Sequence, residues 1–113
     1  MPIKCDEYDR VCVMTVTGDL SGTDAEAARK AVDDMIEKRQ IIDYVIDLEK
    51  CEFMDSEGLE SLCIIRKKCE ELFGQVKLTH LDDNCKKILE ITRLDHRFEC
   101  VAELAEALKT MRG

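Results

Sequence analysis

The chain is defined first by what it lacks. No apolar run in its 113 residues approaches the roughly 20 residues that cross a bilayer, so a membrane-embedded role is not expected. Its start, Met1-Pro2-Ile3-Lys4-Cys5-Asp6, lacks the long apolar region of a secretory leader, and the protein is expected to stay in the cytoplasm. There is no P-loop, no G-x-G-x-x-G and no G-x-S-x-G elbow, which removes the common nucleotide and acyl-transfer signatures. The two histidines, His80 and His96, belong to no metal-spacing motif, and no C-x-x-C pair exists. Neither a cofactor nor a metal is therefore expected. No repeat, low-complexity stretch or linker divides the chain, so residues 1–113 are read as one domain with one core.

What is present is charge. Charged residues make up 37% and apolar residues 45%, a balance that fits a globular core under a heavily solvated surface. The formal net charge of −8 repels phosphate backbones and anionic lipid, which argues against nucleic acid as a partner. The basic clusters Arg66-Lys67-Lys68 and Lys86-Lys87 lie beside acids in predicted helices and read as solvated faces. Seven cysteines are present, an odd number without paired short spacings. Cys12, Cys63, Cys69 and Cys85 fall on apolar faces, where a reduced cysteine acts as a small hydrophobe. A small thiol-dependent or metal-binding protein is the competing reading of that count.

Hydrophobic periodicity gives the order of elements. Residues 3–8 and 11–17 read as strands joined by a polar turn at Asp9-Arg10. Both alternating faces of Val11-Cys12-Val13-Met14-Val16 are largely apolar, so this strand is expected inside its sheet. Gly18-Asp19-Leu20-Ser21-Gly22 breaks the strand, and Thr23 or Asp24 is placed to cap the helix that follows through Lys38. Tyr44–Leu48 reads as a buried strand, and Phe53-Met54 returns the chain to apolar surroundings. A helix runs from about Gly58 to Phe73 with Gly74 as its stop. Val76–Thr79 alternates as a strand. Asp82 or Asp83 caps a helix whose inner face carries Cys85, Ile88, Leu89 and Thr92. Phe98–Val101 is a short strand, and Leu104, Ala107, Leu108 and Met111 mark a terminal helix. The order β-β-α-β-α-β-α-β-α implies an α/β fold with a largely parallel sheet.

The chemistry centres on Asp55-Ser56-Glu57-Gly58, where a strand hands over to a helix. In α/β proteins this junction opens at the carboxyl edge of the sheet, where ligands and partners dock. Two readings of Ser56 stand side by side. One is plain helix capping by Asp55 or Ser56. The other is a modifiable hydroxyl, because a helix N-terminus presents unpaired N–H groups and favours negative charge. A catalytic serine needs an activating base, and local sequence places neither histidine beside it.

These segments resemble the STAS domain, the fold of bacterial anti-sigma-factor antagonists. The resemblance rests on Gly18-Asp19-Leu20 before the first helix and on Val45–Leu48 followed by Phe53-Met54-Asp55-Ser56-Glu57-Gly58-Leu59, close to the D-S-[S/T]-G signature. Ile91–Leu94 and Glu103–Leu108 extend it over essentially the whole chain. It implies a serine-phosphorylation switch. The unmodified antagonist binds an anti-sigma factor that is also a serine kinase, the kinase phosphorylates it using ATP, and a metal-dependent serine phosphatase resets it. Carried onto this chain, Ser56 is the phosphoacceptor. Asp19, Ser21, Asp24, Asp55, Glu57, Gly58, Ser61 and Ile64 then belong to the contact surface, with Ile64 projecting away from the buried helix stripe. The protein itself would be no enzyme, and a monomer or weak dimer. Two positions depart from the pattern: Glu57 stands where Ser or Thr is usual, and Ser21 where an acid often follows the G-x-L turn. They keep open an alternative, a non-phosphorylated STAS scaffold or transport-system subunit.

Overall fold

The computed structural model describes residues 2–111. Nine elements follow in the expected order: β1 (Ile3–Tyr8), β2 (Val11–Thr17), α1 (Gly22–Arg39), β3 (Asp43–Lys50), α2 (Ser56–Glu71), β4 (Val76–Thr79), α3 (Asp83–Ile91), β5 (Glu99–Val101) and α4 (Leu104–Met111). The sheet order is β1-β2-β3-β4-β5, antiparallel between β1 and β2 and parallel elsewhere. Strands laid down in one direction with right-handed crossovers must place their helices on one face. Accordingly α1, α2 and α3 share a core with Cys12, Met14, Val16, Tyr44, Ile46, Leu48 and Leu78. The opposite face is closed by α4, whose Ala107 and Met111 pack on Val11, Val13 and Val45. This division explains why β2 and β3 carry apolar residues on both faces.

Local details depart from expectation where tertiary contacts outweigh local propensity. The N-cap of α1 is Ser21, with no side-chain capping bond, rather than Thr23 or Asp24. The reason is Leu20, fully buried and bridged to Met54, which fixes the chain immediately before the turn. Gly74 does not supply the left-handed stop of α2; Phe73 does, at φ 67°, and it is 95% exposed. Gly74 is required for a different reason, since a Cβ there would stand 2.0 Å from the Ile42 carbonyl oxygen. Thr92 is exposed rather than inward, and its hydroxyl donates back to the Ile88 carbonyl at 2.7 Å. Phe53 does not rejoin the core: Met54 is buried, but Phe53 is 49% exposed.

Candidate functional site

Two loops meet at the carboxyl edge of the sheet. The first connects β2 to α1 and the second connects β3 to α2. Gly18 N–H donates to the Lys50 carbonyl and Leu20 N–H to the Phe53 carbonyl, each at 3.0 Å, so the loops are laced by backbone. Asp55 is the N-cap of α2, and its Oδ1 accepts from the Gly58 N–H at 2.8 Å. That settles the capping question in favour of Asp55. Ser56 becomes the first helical residue and is exposed, with its hydroxyl clear of any capping duty.

Gly58 locks the arrangement. A Cβ at this position would lie 2.0 Å from the Leu20 carbonyl oxygen, so only glycine lets α2 come this close to the first loop. The requirement is close approach, since its φ is not in the left-handed region. Asp19 in the first loop and Glu57 beside Ser56 are exposed, and Ser21, Asp24 and Asp55 are half-buried. The edge is acidic at neutral pH, and a further anion on Ser56 would add to that field.

Two candidate residues behave differently from the rest. Ser61 is fully buried on the inner stripe of α2 with Gly58, Leu62 and Ile65, so its side chain cannot join a contact surface. It sits one turn beyond Gly58, and that turn is drawn onto the core. Ile64 is 38% exposed. It lies between Glu60, which faces Arg29 at 3.8 Å, and Lys68, which is paired with Asp33. Ile64 therefore marks the seam between α1 and α2, about 12 Å along the helix axis from Ser56.

The sequence reading passed over two features. Phe53 joins Ile88, Ile91, Asn84 and Lys87 around a shallow hollow of about 330 Å³, with Ile91 72% exposed. An exposed Phe beside a D-S-x-G segment was the available signal. The second feature is His80. Its Nδ1 lies 3.0 Å from Asp47 Oδ1 and its Nε2 3.5 Å from Glu103 Oε2. The bond to Asp47 raises its pKa above the usual histidine value, helped by the charges of Asp47, Glu49 and Glu103 and opposed by burial. Residues 33 apart in sequence make this contact, and no local pattern encodes it.

The sequence profile of the STAS domain matches residues 2–107, and the chain belongs to that family. An anti-sigma F factor antagonist of Paenibacillus polymyxa is 22% identical over 94 residues, covering 83% of this chain and 80% of the relative. A candidate anti-sigma factor antagonist of Thermotoga maritima superposes with a TM-score of 0.90 at 21% identity, over 98% of this chain and 95% of the other. The Bacillus cell fate determinant SpoIIAA, in its phosphorylated form, superposes with a TM-score of 0.76 at 19% identity, over 95% of this chain and 96% of the other. The α/β fold read from the order of elements is thereby shown. Among the described residues, no helix is long and apolar enough to cross a membrane.

Proposed function

We propose that this chain is an anti-sigma-factor antagonist, a binding protein whose hold on an anti-sigma factor is controlled by phosphorylation of Ser56. The observation that carries the reading is the exposed Ser56 at the first position of α2, released from capping by Asp55 and set on an edge laced from two loops. The anti-sigma factor is a serine kinase using ATP, and a metal-dependent serine phosphatase resets the switch. The contact surface comprises Asp19, Ser21, Asp24, Asp55, Ser56 and Glu57, held by Gly58, with Ile64 at its far end.

The physical logic is local. A phosphate adds about −1.5 to −2 charges at neutral pH. At the N-terminus of α2 it is tolerated within the domain, because the first N–H groups and the helix dipole favour it. Against a partner it reinforces Asp55 and Glu57. A like-charge contact near 4 Å costs on the order of 4 kcal/mol at an effective dielectric of about 20. Each 1.4 kcal/mol is about tenfold in affinity, so one phosphate suffices to dissociate a moderate complex.

The test begins with co-purification of the kinase partner, followed by binding measurements on two variants. Ser56→Ala is expected to bind and Ser56→Asp to lose binding, with intact mass showing one phosphate on the unmodified chain after kinase and ATP. A complex indifferent to Ser56→Asp would point instead to a scaffold, for which the fixed charge of exposed Glu57 is the favouring observation.

A further inference from the structure

We propose that Asp47, Glu49 and His80 bind one first-row divalent cation of the zinc or manganese class, with the Thr79 hydroxyl forming the inner wall of the site. The switch surface uses none of these residues. Asp47 lies near the end of β3 on the face that carries Val45 and α4, Glu49 follows two residues on, and His80 directly follows β4. The site thus lies on the same sheet edge as Ser56 but on the opposite face.

The donor geometry suits a metal. The candidate ligand atoms of the three residues lie within 4.8 Å of one another. Asp47 Oδ1 and His80 Nδ1 are 3.0 Å apart and hydrogen-bonded, Asp47 Oδ1 also accepts from the Glu49 N–H at 3.1 Å, and a cation would take the place of the proton between the side chains. Two donors at about 2.1 Å from a metal and at right angles stand about 3.0 Å from each other, so this pair already spans one edge of a coordination polyhedron. Glu49 is exposed and its side chain is free to close on the third position. The other ring nitrogen of His80 faces Glu103 Oε2 at 3.5 Å. A carboxylate on the far nitrogen is the arrangement that fixes the tautomer and orientation of a metal-ligating histidine.

A second observation is independent of that cluster. Thr79 is fully buried, and its Oγ1 has no hydrogen-bond partner among the described residues. The register pairs Thr79 with Asp47, so both side chains leave the same face of the sheet. The Asp47 carboxylate already has the Glu49 N–H and His80 as partners, whereas the buried Thr79 hydroxyl beside it has none and demands one, which a cation or its bound water supplies. Charge agrees: Asp47, Glu49 and Glu103 converge on a single imidazole. One imidazole with carboxylates suits zinc or manganese better than magnesium or calcium, which take all-oxygen sets.

Manganese is the better probe, because it prefers oxygen and nitrogen ligands and avoids the sulfur of the seven cysteines, for which zinc has affinity. Mn²⁺ is titrated into the full chain, with loss of its free EPR signal reporting stoichiometry and paramagnetic broadening of backbone amides reporting position. The expected result is one site, with broadening centred on Asp47, Glu49, His80 and Glu103. His80→Ala and Glu49→Gln should each weaken binding on the order of tenfold or more, while His96→Ala leaves it unchanged. Glu49 and His80 are chosen because buried Asp47→Asn risks unfolding the domain. Absence of binding, broadening scattered over helix acids such as Asp33, Asp34 and Glu37, or indifference to both variants would each overturn the assignment.

Discussion

Gly58 carries the mutual position of the two loops, and its replacement is the sharpest single-residue test of the site. In Gly58→Ala the new methyl must push α2 away from the Leu20 carbonyl, now 2.0 Å from where it would stand. Overpacking of this kind costs typically about 1–3 kcal/mol, so the urea midpoint should fall with an unchanged slope. An unshifted midpoint would show that the loops are not packed this way. At this scale the sequence was readable in part. Asp55, Ser56 and Gly58 announced a helix start by residue type and spacing. Ser61 and Phe53 were misplaced because both sit at the boundary between inner and outer faces, where a small rotation of the helix or loop decides exposure. Ser61 turned inward with Gly58, and Phe53 turned outward while its carbonyl stayed bound to Leu20 N–H.

The end of α2 makes a comparable case for an element. Phe73 adopts a left-handed φ of 67° and is almost fully exposed, so its ring contributes little packing to offset the conformational cost. Phe73→Gly is expected to raise stability by about 1 kcal/mol, read as a higher thermal midpoint. A lowered midpoint would mean that the ring holds something in place. Element order and type were legible because each helix shows an apolar stripe and each strand a short apolar run bounded by turn residues. The ends were not. Gly74 looked like helix punctuation, yet it is dictated by the passing Ile42 carbonyl, a contact made across 32 residues of chain.

For the molecule as a whole, the seven cysteines become a probe of packing. Cys12, Cys51, Cys69 and Cys85 are buried, and burial pushes the Cys69 thiol up to about 12. Cys100 is exposed, although burial of its sulfur environment and the Asp95 charge raise its pKa too. Because the thiolate is the nucleophile, alkylation of the native protein should reach the accessible Cys5, Cys63 and Cys100 before the four buried thiols and accelerate as pH rises above neutral. Peptide mapping should find the four buried thiols labelled only after denaturation. Native labelling of Cys69 or Cys85 at the rate of Cys100 would contradict the packing of α2 and α3. The two-faced sheet was implied by the apolar run of β2, whereas the meeting of Asp47, His80 and Glu103 depends on one strand and two connecting loops distant in sequence. The strand order has a consequence for how this architecture is reached. Every strand pairs with its predecessor in the chain, from β1 to β5. Contacts between neighbours in sequence carry a smaller loop-closure cost than distant pairings. The sheet can therefore be laid down from its N-terminal hairpin as a growing chain leaves the ribosome, with β5 and α4 last to dock and first to exchange their amide hydrogens.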